Sequence, residues 1–258
     1  MAAHPQSKVT EVPKGSPLGA LATPVVRLQH CVVDLLKRKG QSSAASADLR
    51  AILEHCQART DISDHLPTLF GAALSVNPKL IVELGVRTGE STRVLARVAR
   101  LCDARLVSVD IDDCSKACDW PGWLFVQGDD VEFAKTFPAW ADKKGLPAVV
   151  DFLFIDTSHL YDHTVAEIRH WFPLLGPRAR VAFHDTNQRR VYFRRDGSVG
   201  LGWNNARGVV GALEDYFKAT FAERSDFIEQ LPGWLIQHEA CCSGFTVLTR
   251  VPSTEARR

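Results

Sequence analysis

Between Pro78 and Phe183 the chain alternates short apolar, β-prone runs with amphipathic stretches, a rhythm that restricts it to a parallel sheet covered by helices on both faces. The runs are Leu80–Leu84, Arg105–Val109, Trp123–Val126, Val150–Ile155 and Arg178–Phe183. They are nearly continuous in apolar character, as strands buried on both faces must be. Helical spacing fills most of the gaps, at Glu90–Leu101, Asp130–Phe137 and His163–Leu174. The predicted class is α/β, a Rossmann-like doubly wound sheet of mostly parallel strands.

The flanks break this rhythm. Residues 1–24 are rich in Pro, Gly, Ser and Thr without periodicity and read as a flexible tail. Apolar residues recur at helical spacing over Val25–Lys39, and again over Asp48–Gln57 and Asp64–Leu74 behind capping-type residues, predicting an N-terminal helical extension over 25–77. The sheet segment then occupies 78–258. A helix from Arg207 to Phe221 leads to two strand-like runs, Trp234–His238 and Phe245–Thr249, joined by a short connector with Cys241, Cys242, Ser243 and Gly244. These predict a C-terminal antiparallel hairpin at the sheet edge.

With 31 Lys and Arg against 30 Asp and Glu, the net charge of +1 supplies no general field for a phosphate backbone or an anionic membrane. Neither nucleic acid nor membrane is an expected partner. The seven cysteines are scattered through a chain large enough to fold without a disulfide framework. Cys114 with Cys118, and the vicinal Cys241 and Cys242, lack the paired spacing of structural zinc sites. No apolar core of signal-peptide length opens the sequence, and no apolar run reaches membrane-spanning length. A cytoplasmic protein with reduced thiols is the expectation.

Chemistry concentrates at the predicted strand ends. The first strand runs through Glu83-Leu84-Gly85-Val86-Arg87-Thr88-Gly89 into a helix opened by Glu90-Ser91-Thr92, the place where doubly wound folds bind nucleotides. Gly85 and Gly89 would let the backbone approach a ligand closely. The spacing G-x-x-x-G, with Arg87 where a dinucleotide loop wants glycine, argues against NAD. Glu83, just before the first glycine, suits a cationic ligand better than a pyrophosphate. Asp110, ending the second strand, can accept both hydroxyls of a ribose. Asp129, after the third, either faces an adenine edge or caps the next helix.

The fourth strand delivers Asp156-Thr157-Ser158-His159, and the fifth His184-Asp185-Thr186-Asn187. A carboxylate and an imidazole emerging over the glycine loop are placed to take a proton from a hydroxyl, making His159, with Asp156, the candidate catalytic pair. Asp156 and Asp185, with His184 or Asn187, could make an oxygen-rich site for Mg²⁺ that would acidify and orient that hydroxyl. The alternative is structural: both aspartates only cap helices or hold loops.

In order and spacing over roughly Pro78 to Val251, these motifs resemble the class I S-adenosylmethionine-dependent methyltransferases. Within that class the chain is similar to the small-molecule O-methyltransferases related to macrocin O-methyltransferase and cephalosporin-hydroxylase-type proteins. The resemblance implies S-adenosyl-L-methionine held by Glu83, Gly85, Gly89, Asp110 and Asp129, with Ser91, Arg87 and Asp156 as further contacts. Glu83 would then meet a cofactor bearing an α-ammonium and a sulfonium. The D-x-x-H pattern of Asp156 and His159 is similar to that of macrolide-sugar methyltransferases. It implies Asp156 on a divalent metal and His159 as base, and the metal set expected from the residues is Asp156, His184 and Asp185. The implied reaction is methyl transfer to a hydroxyl of a small-molecule acceptor, a sugar or other natural-product scaffold. Two alternatives stay open: a protein that binds S-adenosylmethionine without transferring methyl, and a non-catalytic binding module.

Residues 187–205 form a long insert after the fifth strand, and loops of this length usually serve as lids or binding loops. The insert is expected to shape the acceptor pocket, with Gly200 and Gly202 as hinges. Its arginines Arg189, Arg190, Arg194 and Arg195, with Tyr192, Phe193 and Trp203, either meet an anionic or aromatic acceptor or form a solvated charged loop. His65 lies in a segment that resembles the gating helix of related enzymes, or is part of a simple N-cap. His163, His170 and His238 read as surface or packing residues. By analogy with related enzymes, a homo-oligomer would associate through the N-terminal helices.

Overall fold

The computed structural model describes residues 42–251; the expected tail over 1–24 and the helix over 25–39 lie outside the described residues. Strands β1 (Leu80–Leu84), β2 (Arg105–Asp110), β3 (Trp123–Gln127), β4 (Val150–Ile155) and β5 (Leu175–His184) pair in parallel. Two short strands, β6 (Val191–Phe193) and β7 (Val199–Leu201), form a separate antiparallel hairpin. The chain closes with β8 (Phe227–Leu231), β9 (Trp234–Glu239) and β10 (Phe245–Arg250), an antiparallel meander joined to β5 through β10. The order of the eight-stranded sheet is β3-β2-β1-β4-β5-β10-β9-β8.

Side-chain alternation along each strand decides which helices it meets. In β1, Leu80, Val82 and Leu84 join Val107, Leu153 and Val181 on one face. That face is covered by α4 (Asp130–Lys143), α5 (Tyr161–Trp171) and α6 (Gly208–Phe217), through Phe137, Trp171 and Leu213. Ile81 points the other way with Leu106, Phe152, Phe154 and Phe245. There α1 (Ser42–His55), α2 (Leu66–Ser75) and α3 (Glu90–Cys102) cover the sheet through Ile52, Phe70 and Val98. Each large side chain sealed in these layers contributes about 1.5–3 kcal/mol relative to exposure. The same parity places Glu83 beneath α3 and His184 on the α1–α3 side, a polar pair in otherwise apolar rows.

Four details differ from the sequence expectation. The C-terminal hairpin does not form the sheet edge, because β8 pairs outside β9. The helix expected to reach Phe221 ends at Phe217, where Lys218 adopts a left-handed conformation (φ 53°) and its amide N–H bonds back to Glu214. The 187–205 insert contains the β6–β7 hairpin. Finally, His65 ends a 3₁₀ turn, Ser63–His65, and offers no side-chain cap to α2; it is buried instead. Among the described residues no helix is long and apolar enough to cross a membrane, and no disulfide joins the cysteines.

Candidate active site

Strand order reverses between β1, whose chain continues into β2, and β4 on its other side, and the loops leaving β1 and β4 meet at that crevice. The Asp156 amide donates to the Leu84 carbonyl (2.8 Å) and the Gly85 amide to the Val109 carbonyl (2.9 Å). Gly85 sits at φ +87°, and a Cβ there would lie 2.0 Å from the Asp156 carbonyl oxygen, so only glycine fits. Gly89 caps α3 at φ +76° and packs on Ala117.

Glu83 and Ser91, expected at the cofactor, are turned toward each other below the loop. Ser91 Oγ donates to Oε1 of Glu83 (2.6 Å), while Thr92 Oγ1 (2.8 Å) and Ser108 Oγ (2.6 Å) donate to Oε2. Trp123 Nε1 in turn donates to Ser108 Oγ. Burial pushes the Glu83 carboxyl up to about 7, with the three hydroxyls pulling against it. This network clamps the start of α3 to β1 and β2.

Asp110 is committed to the loop as well. Its Oδ2 accepts from the amides of Val86 (2.7 Å) and Arg87 (3.0 Å), and its Oδ1 from Asp112 (2.9 Å). Burial works to raise its pKa, but these amides overcome it and hold the carboxyl below its usual range. Arg87, at φ +48°, turns its guanidinium outward onto Asp61 in a two-pronged pair of 2.8 and 3.2 Å. Asp129 caps α4, accepting from the Glu132 amide (2.8 Å). Beside these groups lies a cavity of about 360 Å³ lined by Gly85 and by Asp110, Asp112, Asp129, Asp130 and Asp156, with Arg87 and His163. Its lining carries far more negative than positive charge.

At the neighbouring strand ends the structure gathers Asp156, His159, His184 and Asp185. Nε2 of His159 lies 3.0 Å from Oδ1 of Asp156 and 3.0 Å from Oδ2 of Asp185. Nδ1 of His184 lies 3.1 Å from Asp156 and 3.5 Å from Asp185, and its Nε2 contacts Ser243 Oγ at 3.2 Å. Burial opposes protonation of both imidazoles, yet the paired carboxylates hold His159 up at about 9 and His184 well above its ordinary value. Burial likewise works to raise both aspartates, but the adjacent imidazolium charges keep them well below the carboxylate range. His159 (φ 58°) and Asp185 (φ 57°) both occupy the left-handed region, at a cost of about 1–3 kcal/mol each. Oδ1 of Asp185 is buried without a hydrogen-bond partner. Asp156, His184 and Asp185 each offer a ligand atom, all within 4.8 Å of one another.

Two solved structures share this architecture. The cofactor-bound Rv0187 from MTB is 18% identical at a TM-score of 0.51, over 79% of this chain and 89% of its own. The SAH-bound methyltransferase PaMTH1 of Podospora anserina is 14% identical at a TM-score of 0.50, over 80% and 88%. No curated protein matches the sequence. Residues 82–186, from within β1 to just beyond β5, match the family profile described as a methyltransferase domain. Over these residues the chain is similar to a methyltransferase domain.

Around the strand ends of this domain, the 187–205 insert is fastened at several points. The Arg195 amide donates to Asp64 Oδ2 (2.9 Å), Arg59 pairs with Asp196 (2.9 Å), and the Cys242 amide donates to the Phe193 carbonyl (2.9 Å). Asn205 Nδ2 donates to the Asp185 carbonyl (3.0 Å), and the Trp203 ring lies 6.1 Å from that of His159. A Cβ at Gly200 would strike the Tyr192 ring at 2.1 Å, so glycine makes room for that ring. Arg189, Arg190, Arg207 and Arg224 border a separate cavity of about 570 Å³ that begins at Thr186, next to Asp185.

His65, read from the sequence as a gate or cap, is buried in the core. Its ring stacks on Phe245 at 5.2 Å and meets His184 edge-on at 5.7 Å, with Glu239 3.4 Å from its Nδ1. His238 is buried and bonds Thr246 and Glu223, a packing role as expected. His163 does not fit that reading: it lines the acidic cavity beside Asp130 and Glu167. The sequence signal for it was the spacing His163-x-x-x-Glu167, which puts both on one face of α5.

Proposed function

We propose that the methyltransferase domain moves the methyl group of S-adenosyl-L-methionine to a hydroxyl of a small-molecule acceptor, with His159 as the proton acceptor. The observation that carries this reading is the adjacency of two features: an aspartate-lined cavity behind the Gly85 turn, and the Asp156–His159–His184–Asp185 cluster at its edge. A cavity rich in carboxylates suits a sulfonium and ammonium ligand and repels a pyrophosphate. The Gly85 turn brings its backbone close, and Asp110 holds the Val86 and Arg87 amides that shape the wall.

The donor set at Asp156, His184 and Asp185 fits a divalent cation such as Mg²⁺. Two buried carboxylates converge there, and Oδ1 of Asp185 has no protein donor. Bound there, the ion would supply positive charge to an acceptor oxygen and lower its pKa. The residues of this chain do the rest. Asp156 and Asp185 both meet Nε2 of His159, fixing the orientation of the ring and stabilising the imidazolium that forms when it takes a proton. Trp203 and the insert restrict water over that ring. The backbone bridge from Leu84 to Asp156 keeps cofactor loop and base in register, as in-line transfer requires.

The test is calorimetric titration with S-adenosylmethionine, with and without Mg²⁺, followed by incubation with a panel of hydroxylated acceptors and mass detection of methylated product. Saturable binding with product that depends on His159 supports the reading. Binding without product across sugars, phenols and macrolides, or no binding, overturns it.

A further inference from the structure

A second cluster of the same chemistry stands at the acidic cavity, whose lining includes Asp130 and His163. Asp130 is the first residue of α4, and His163 and Glu167 lie one turn apart on α5. Nε2 of His163 is 3.0 Å from Oδ1 of Asp130 and 3.5 Å from Oε1 of Glu167. All three offer ligand atoms within 4.8 Å of one another. Bonds of about 2.0–2.2 Å to one tetrahedral ion put its ligand atoms about 3.3 Å apart, the spacing His163 shows to its two neighbours.

We infer that Asp130, His163 and Glu167 form a binding site for a divalent transition-metal ion such as Zn²⁺. Glu167 is fully buried and Asp130 nearly so, at 0% and 7% exposure. Thr157 Oγ1 donates to Oε1 of Glu167 (2.6 Å), but Oε2 of Glu167 and Oδ2 of Asp130 are both buried with no hydrogen-bond partner. Buried carboxyl oxygens without a partner are costly, and a divalent ion between the two acids and the imidazole gives these side chains one. One imidazole with two carboxylates is a donor set suited to Zn²⁺ and its neighbours in the first transition row. Asp130 and His163 also line the cofactor cavity, so the ion would fasten α4 to α5 behind that wall. This site is separate from the one proposed at Asp185 and does not depend on methyl transfer.

The test uses the full chain, stripped with a chelator and titrated with Co²⁺ as a visible stand-in for Zn²⁺. The Asp185→Asn background, or Asp156→Asn if that variant does not fold, disables the other cluster. Expected are one Co²⁺ per chain, tetrahedral visible absorption, and displacement by Zn²⁺. Glu167→Gln and His163→Gln, added singly, should each weaken binding by at least about tenfold. Folding is checked by circular dichroism, and the partly exposed His163 provides the second variant should Glu167→Gln unfold. Absence of Co²⁺ binding in the folded background, or binding unchanged in His163→Gln, overturns the proposal.

Discussion

The Asp185 carboxylate stands 3.0 Å from Nε2 of His159, and both residues hold left-handed backbone conformations to make that contact. A base must be unprotonated to act, and the two carboxylates hold His159 near 9. In the metal-free protein, methyl transfer should therefore rise with pH through about 9 and be low at neutrality. Saturating Mg²⁺ should move the midpoint downward, measured by NMR of the His159 ring and by the pH–rate profile. His159→Asn should lower kcat by about 10²–10⁴-fold while the fold is kept. A metal-independent midpoint would remove the ion from the reaction.

Glu83 carries a pH signature of its own. Its carboxyl moves from an ordinary 4.5 up to about 7 in the folded chain. Between those values the folded state keeps a proton that the unfolded state releases, so stability falls as pH rises through that window and levels off above it. The full shift corresponds to about 3 kcal/mol. Denaturant unfolding of Glu83→Gln should lack this component of the slope, seen as the difference from wild type. Glu83→Ala should lose about 2–4 kcal/mol, because three hydroxyls lose their acceptor inside the core.

Asp110 and Gly85 shape the cofactor loop by different means. Asp110→Asn withdraws charge from three backbone amides, and we expect S-adenosylmethionine affinity to fall about 10- to 100-fold in calorimetry with modest loss of stability. Gly85→Ala places a methyl against the Asp156 backbone and should destabilise the fold itself, lowering Tm as well as affinity. A Gly85→Ala protein with normal Tm would refute the contact.

Asp64 is one of the anchors of the β6–β7 hairpin. Asp64 receives both the Arg195 amide and the Cys242 thiol at 2.9 Å. Asp64→Ala should accelerate hydrogen exchange over residues 191–201 and leave the exchange of β1 and β4 unchanged. Uniform acceleration would mean that Asp64 supports the whole domain.

How legible these features were follows from burial. The ranges of β1 and β4 agree with the sequence reading to the residue, because both strands are apolar apart from a single acidic residue, Glu83 in one and Asp151 in the other. β5 begins earlier than expected, at Leu175, since Gly176 and Pro177 hide its start. β6, β7 and β8 went unseen: β6 and β7 are three residues long and expose two of them, and no residue of β8 is buried. The Asp156, His159, His184 and Asp185 constellation was visible as strand-end acids and imidazoles. The internal partners of Glu83 were not, although hydroxyls at Ser91, Thr92 and Ser108 in otherwise apolar neighbourhoods were the signal. The cap at Asp129 had its own signature, with Glu132 three residues on.

The close seat of Gly85 on Asp156 has a consequence for how such a chain could diversify. The Gly85 loop and the end of β4 are welded through their backbones, so their geometry is inherited as one block. The β6–β7 insert is attached to that block by a handful of polar ties and can be exchanged like a tool head. Grafting residues 188–202 from a relative should change acceptor preference while keeping Trp203 and Asn205 at the His159–Asp185 cluster.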